Sequence, residues 1–537
     1  MNAKQLKELS DQTFGKRVGL VSLWQEQAEN FYPERAGFTV RRYLGDDFAG
    51  NLSSSFPVIC RRELASSFST MLRPAQKPWF EMVLPNDDTP DIETREWLEW
   101  KTVVQRRAMY DIKSLFSRAA VEGDHDFAAF GQSVLSVRLN KVGDALLYRC
   151  WHLRDVAWLD DEEGNVCPIF RKWKPYAKTL VEKFRDKNHP SLLQLARTKP
   201  YEEVECLHMI VAADAYEKKT AMPYWSIYYD CQHETLLEAV PTWNKEYAIS
   251  RWQTVSDSQY AYSPATVAAL PDARLLQSMT YTLLEAGEKS ANPPLIATQG
   301  AVRSDVTLLP GGMNWIDFEY DERKGEALRP LNIDTSGMGH GFELARDTRE
   351  MLRVCFFLDK IKPFLPTEDK EMTAFQAGQI VAQYIRDALP IFEPMESEVN
   401  GQLCELTADL LLRHGAFGSP LDVPKALRGR SFTFRFQSPL HDAIESQKGQ
   451  KFLEMSQLIA SAVALDQGAA NVPDTITALR DALSGIQVPA KWQRTESQVK
   501  ELQAEQADQM QTRQLLETLG QGADVAKTAG EAAQLGA

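Results

Sequence analysis

The chain has 537 residues, of which 44% are hydrophobic and 25% charged, and a formal charge of −14. That is enough apolar material for about two to four cored domains, and the acidic balance (pI about 5.3) leaves no basic domain of the kind a site-specific DNA reader carries. No run of about 18 apolar residues suggests a membrane span, and the polar start Met1-Asn2-Ala3-Lys4-Gln5 does not read as a signal peptide.

Leu20, Val21, Trp24, Ala28 and Phe31 keep helical spacing and predict a helix over 1–35 that stops before Pro33. A second helical piece over 57–75 (Cys60, Leu64, Phe68, Leu72) is stopped by Pro74. Trp79–Leu84 reads as a short strand, and helices resume over 91–122.

Residues 133–255 change character. Ser133–Val137, Ala145–Trp151, Val156–Leu159 and Val166–Trp173 are β-like, the last two joined by the turn Asp160–Asn165. Val204, Cys206, His208 and Ile210 alternate along one strand face, and Tyr224–Tyr229, Leu236–Val240 and Tyr247–Trp252 complete a predicted antiparallel sheet. Helical segments near 175–186 and 190–197 interrupt it. Ten of the twelve tryptophans lie at or before Trp252, so this half should hold the main α+β core.

From 264 onward the pattern is mostly helical. A helix over 264–289 carries the stripe Leu276, Met279, Leu283 and Ala286. It runs into a Pro/Gly-rich excursion, a second helix over 342–359, and a loop bearing Lys360, Lys362 and Lys370. A long helix then starts at Met372, to be bent or split by Pro390 and Pro394. Ser431–Phe436 reads as a strand and 438–485 as helices, the second opened by Pro473-Asp474. A polar helix to about Leu519 and a Gly/Ala tail expected to be disordered follow.

Catalytic signatures are weak. There is no GxxxxGK[ST] phosphate loop, and Gly337–Gly341 does not follow a strand, so it reads as a junction before a helix. Asp124-His125-Asp126 could be imagined as an acid–base or metal cluster, and a hydrolase acting through Asp124 or His125 is the enzymatic alternative. Adjacent residues point apart, however, and no second histidine stands at i+4. Gly131-Gln132-Ser133 lacks the second glycine of a nucleophile elbow. Seven scattered cysteines without a CxxC pair read as reduced, buried thiols. No catalytic, cofactor or metal site is expected. A pair of helices around a polar excursion, followed by a basic loop, instead suits a subunit that packs beside copies of itself.

These segments carry a family likeness. Asn30-Phe31-Tyr32-Pro33-Glu34-Arg35, Arg62–Leu72 before Pro78-Trp79-Phe80, Gly164-Asn165-Val166, Ser250-Arg251-Trp252, Tyr260–Pro264, Ala269–Asp272, Phe357-Leu358-Asp359, Met372-Thr373-Ala374 and Ser438-Pro439-Leu440 occur in order. In this the chain resembles the portal (head-to-tail connector) proteins of T7-like, short-tailed bacteriophages. It departs from their pattern at Ala261-Tyr262 and at Gln376.

The resemblance implies an α+β, mostly helical portal fold assembling into a twelve-subunit ring at one capsid vertex. Its wing would be residues 1–262 and 373–437, its stem helices 263–290 and 342–359, its clip 291–341, its tunnel loop 360–372 and its crown 438–519, with 520–537 as tail. It also implies a structural protein of the virion made in the bacterial cytoplasm. The implied partners are double-stranded DNA without sequence preference, the terminase large subunit, major capsid and scaffolding proteins, a tail adaptor and internal core or ejection proteins. A different tail or connector component is the structural alternative. On this reading Lys360, Lys362 and Lys370 would touch phosphates transiently. Each neutralised phosphate adds affinity, so acidic surroundings would keep a sliding duplex loosely held. Leu276, Met279 and Leu283 would pack the stem, against neighbouring copies.

Overall fold

The computed structural model describes residues 1–297 apart from 44, 48–49, 51, 76, 86–90, 186–187 and 257; 315–317, 321, 323, 326 and 328–331; 337–361; 391 and 393–436 apart from 420–422 and 430; 439–463; and 472–509 apart from 473, 486–487, 489, 495–497, 500, 503 and 507–508. Helices predominate, and the strands form a five-stranded sheet, a three-stranded sheet and three strand pairs among the described residues. The chain divides into two compact units: residues 1–74 with 108–410, and residues 75–107 with 411–537.

In the first unit, the single helix expected over 1–35 is two, Ala3–Lys16 and Val18–Phe31. The break falls at Arg17, which is 4% exposed. Its guanidinium donates to the carbonyls of Leu153 at 2.9 Å, Val156 at 2.6 Å and Arg154. A buried guanidinium must find acceptors, and leaving the helix lets Arg17 reach three.

The predicted antiparallel sheet is present but divided. Val156–Asp160, Val166–Trp173, Cys206–Ala212, Tyr224–Asp230 and Thr235–Thr242 form the five-stranded sheet in chain order. Gln132–Leu139 lies between Leu146–Cys150 and Tyr247–Arg251 in the three-stranded one. Period-2 alternation sorts the larger sheet's faces. Leu207, Met209, Val211 and Ile227 pack with Leu6 of the first helix. Cys206, Tyr228 and Leu237 pack with Leu180 and Leu192 of the two inserted helices, Ala177–Lys183 and Pro190–Thr198.

Helix Phe116–Phe130 ends at Gly131 (φ +72°), where an added Cβ would fall 2.1 Å from the Tyr262 carbonyl carbon. Only glycine fits that left-handed cap and close approach.

Helix Pro264–Ala291 packs on helix Met338–Cys355. The second starts a turn earlier than the sequence suggests. Gly339 and Gly341 are helical, not a junction, and the reason is contact: an added Cβ at Gly341 would lie 2.8 Å from Leu283 Cδ2. The start of the long helix at Met372, and Pro390, lie outside the described residues. After Pro394 the chain forms a π-turn, Glu396–Gly401, before helix Gln402–Arg413.

In the second unit, Phe80–Val83 pairs antiparallel with Thr433–Phe436, Phe80 opposite Phe436 and Val83 opposite Thr433. Lys101, on helix Ile92–Met109, is 1% exposed. Its ammonium sits 4.5 Å from the Trp97 ring centre, 4.5 Å from that of Phe417 and 4.0 Å from that of Phe432. Helix Pro439–Val463 packs on Thr475–Gly485. Asp474 caps the latter, its Oδ1 accepting from the backbone N–H of Ile476 and Thr477, as the Pro473-Asp474 signal suggests.

Candidate functional site

Asp124, His125 and Asp126 follow one another on helix Phe116–Phe130, so their side chains diverge. Each meets an arginine, two of them from helix Phe56–Leu72 and its C-terminal cap (Arg61 and Arg73) and one from the turn after Phe31 (Arg35). Arg73 donates to Asp124 Oδ1 and, at 2.8 Å, to Asn400 Oδ1; the Arg73 and Asp124 side chains are only 3% and 2% exposed. Burial pushes the Asp124 carboxyl up to about 6, against the pull of Arg73.

Arg61 donates to His125 Nδ1 at 2.6 Å, so that nitrogen is an acceptor. Burial, then the adjacent Arg61, push the ring's pKa down to about 4, and it is neutral at pH 7. Arg61 also donates to the Phe31 carbonyl at 3.1 Å and lies 4.0 Å over the Tyr32 ring. Arg35 grips Asp126 with two parallel bonds, Nε to Oδ1 at 2.9 Å and Nη2 to Oδ2 at 2.7 Å.

The cluster is therefore a three-way clamp. Asp124, His125 and Asp126 each engage an arginine, a structural use of the residues on which the hydrolase alternative through Asp124 or His125 rests. It also gives Phe31, Tyr32 and Arg35 of the Asn30–Arg35 landmark a physical role.

A second polar network escaped sequence reasoning. Arg171 Nε donates to the Tyr247 hydroxyl at 2.7 Å. That hydroxyl stands 2.6 Å from His208 Nδ1, and His208 Nε2 stands 2.9 Å from Ser226 Oγ. Burial, then the nearby Arg171 charge, hold the His208 pKa well below the ordinary histidine value. A neutral ring accepts Tyr247's proton at Nδ1 and donates from Nε2 to Ser226. Ser beside His has the composition of a nucleophile and its base. Here, though, His208 is 1% and Ser226 7% exposed, so the pair is sealed from any substrate. Its work is to tie the five-stranded sheet (Arg171, His208, Ser226) to the three-stranded one (Tyr247). Alternation puts His208 on one strand face with Val204, Cys206 and Ile210, but its partners come from other strands. Among the described residues no three His, Cys, Asp or Glu side chains are grouped to hold a metal ion.

Of the lysines singled out in the sequence, Lys360 is exposed on the short helix Leu358–Ile361, and Lys362 and Lys370 lie outside the described residues. Leu276 is fully buried, and Met279 and Leu283 are half-buried. Leu283 rests against Gly341 of the same chain, so part of this stripe is used within the subunit. The apolar residues left exposed are others. Leu275, Tyr281 and Leu284 are 42%, 64% and 58% exposed on the first helix, and Phe342, Leu344, Met351 and Val354 are 51–59% exposed on the second. Periodicity finds one stripe readily; these flank residues are too irregularly spaced to form a stripe of their own.

Charged clusters engaged as internal clamps, and paired helices whose apolar flanks face solvent, are what the described residues present. The chain belongs to the family of bacteriophage head to tail connecting proteins, whose family model matches residues 3–491. It is 24% identical over 534 residues to a "Probable portal protein" of Bordetella phage BPP-1, covering 96% of this chain and 93% of that one. It is 22% identical over 469 residues to a "Portal protein" of Salmonella phage epsilon15, covering 85% and 81% of the two chains. The α+β, mostly helical make-up expected of a portal fold is the one observed. Among the described residues no helix is long and apolar enough to cross a membrane.

Proposed function

We propose that this chain forms the twelve-subunit portal ring at one vertex of a phage capsid, a structural conduit for double-stranded DNA during packaging and ejection. The terminase large subunit docks on it first and the tail adaptor later, with major capsid and scaffolding proteins around it. In this reading residues 1–262 and 373–437 are the wing, 263–290 and 342–359 the stem, 291–341 the clip, 360–372 the tunnel loop and 438–519 the crown.

One observation carries the reading. On helix Pro264–Ala291 the inward seam (Ala273, Leu276, Leu283) is bordered on both sides by apolar residues, Leu275 and Met279 on one flank, Tyr281 and Leu284 on the other. A subunit in a closed ring meets its neighbours through two different patches, left and right. Two apolar flanks beside one internal seam meet that requirement. Negative-stain electron microscopy of the purified chain tests it: rings around an open pore are expected, and a solitary monomer at every concentration would refute it.

The flank residue and its seam neighbour should behave differently. Leu284→Asp should leave the helical circular dichroism unchanged and abolish rings, because the carboxylate is solvated in the monomer and desolvated at the interface. Leu283→Asp should instead lower the melting temperature of the unassembled chain, since it faces Gly341 internally. Changing Lys360, Lys362 and Lys370 together to alanine should leave rings intact and reduce the DNA packaged and retained, read as packaged DNA per capsid.

A further inference from the structure

Helix Met338–Cys355 carries a pattern that the ring reading does not use. Arg346, Arg349 and Arg353 follow one another at three- and four-residue steps, and so form a row along one side of the helix. Glu343, Asp347 and Glu350 follow at four- and three-residue steps and form a row on the next side. All six are exposed, while Ala345, Thr348 and Leu352 fill the face turned to helix Pro264–Ala291. Inside the chain the rows are lightly used: Arg353 lies 5.9 Å from the centre of the Phe56 ring. Arg353 Nη1 reaches Glu350 Oε1 at a long 3.8 Å, and neither Arg346 nor Arg349 has an ion-pair partner among the described residues. In a chain of net charge −14, three exposed arginines in register with three carboxylates form a self-complementary surface.

We propose that these rows are the two halves of a charged joint between successive copies of this chain: the arginine row of one subunit meets the carboxylate row of the next. The proposal rests on the ring reading above and adds what sets the order and register of its contacts. Apolar flanks pack without direction, whereas opposite charges fix register and reject wrong juxtapositions. The row lengths match, three against three, and a head-to-tail contact uses each row once per interface. Duplex DNA is the other polyanion or polycation partner to weigh. It fits less well, because a duplex laid along the arginines would also bring its phosphates near the carboxylates one helix side away, which repel it.

The test uses the full-length chain and three versions of it. Reversing the arginines (Arg346→Glu, Arg349→Glu, Arg353→Glu) should lower the ring population about tenfold or more at low salt, since three exposed ion pairs are replaced by like-charge contacts. Reversing both rows together, with Glu343→Arg, Asp347→Arg and Glu350→Arg added, should restore rings, because the pairs are re-formed with exchanged signs. Raising salt toward 1 M should weaken assembly of the unaltered chain and narrow these differences. Rings from the arginine-reversed chain at unaltered yield would overturn the joint while leaving the ring standing. If those rings also packaged less DNA, the arginines would be assigned to the duplex instead. Failure of the doubly reversed chain to recover rings, with its circular dichroism intact, would likewise overturn the pairing. An unaltered chain that never forms rings would overturn both readings.

Discussion

Asp124→Ala should lower the unfolding free energy of the unit built from residues 1–74 and 108–410 by about 3–5 kcal/mol. The cause is the arginine left behind. Arg73 is 3% exposed, and with Asp124 removed its only remaining partner among those described is the neutral Asn400. Desolvating an unpaired guanidinium is the main penalty in breaking a buried pair. The same logic predicts a contrast. Replacing both members, Arg73→Met with Asp124→Leu, should cost much less than either single change, because no charge is then stranded. Asp124 supports this view, since its Oδ2 has no hydrogen-bond partner among the described residues and burial already drives its carboxyl up to about 6. The pair is an expensive way to hold helix Phe116–Phe130 against the segment at Asn400, and it fixes their register. Urea unfolding followed by tryptophan fluorescence, on a Leu284→Asp background so that assembly does not add stability by mass action, reads both values. Equal losses for the single and double variants would refute the account.

Raising the pH from 7 to 11 should stabilise the unaltered chain relative to Lys101→Met by about 2–3 kcal/mol. Burial lowers the Lys101 pKa from 10.5 to about 8. Below 8 the ammonium is charged in both folded and unfolded chains, and the folded state bears the desolvation cost in full. Between about 8 and 10.5 the folded chain gives up its proton while the unfolded chain keeps it. Unfolding then takes up a proton, and stability rises with pH until both forms are neutral. The three ring faces around Nζ favour the ammonium and so reduce the gain below the value that desolvation alone would give. Methionine keeps the volume and cannot titrate, so the difference between the two chains isolates this one group from every other base-titrating residue. Thermal melts across that range are the measurement, and a constant difference would show that burial does not depress the Lys101 pKa in the folded chain.

The elements that periodicity specifies strongly were legible. The paired helices around the polar excursion, the alternating strands between 133 and 255, and the cap at Asp474 all follow from local pattern, and the structure contains them. What was not legible depends on partners far along the chain. Arg17 breaks a helix because carbonyls at Leu153, Arg154 and Val156 await it. Gly339 and Gly341 look like a hinge until Leu283 is seen pressed against Gly341. Asp124-His125-Asp126 hints at chemistry only while its three arginines, at 73, 61 and 35, are unknown. Local spacing also could not tell which apolar residues of helix Pro264–Ala291 are used internally. Leu276 and Leu283 turn inward, and Leu275, Tyr281 and Leu284 remain available.

The pairing of Phe80–Val83 with Thr433–Phe436 governs when the protein can finish folding. Emerging from the ribosome at about 5–20 residues per second, the first strand waits roughly 20–70 s for its mate. Through that interval Phe80–Val83 lacks the strand it pairs with, so the unit it belongs to depends on a contact of long sequence separation and closes only once residue 436 has emerged. Nascent or prematurely terminated chains are thus the ones that chaperones must shield. A chain cut before residue 433 retains the first unit's sequence yet lacks the partner of Phe80–Val83, and should aggregate or be proteolysed more readily than the full chain.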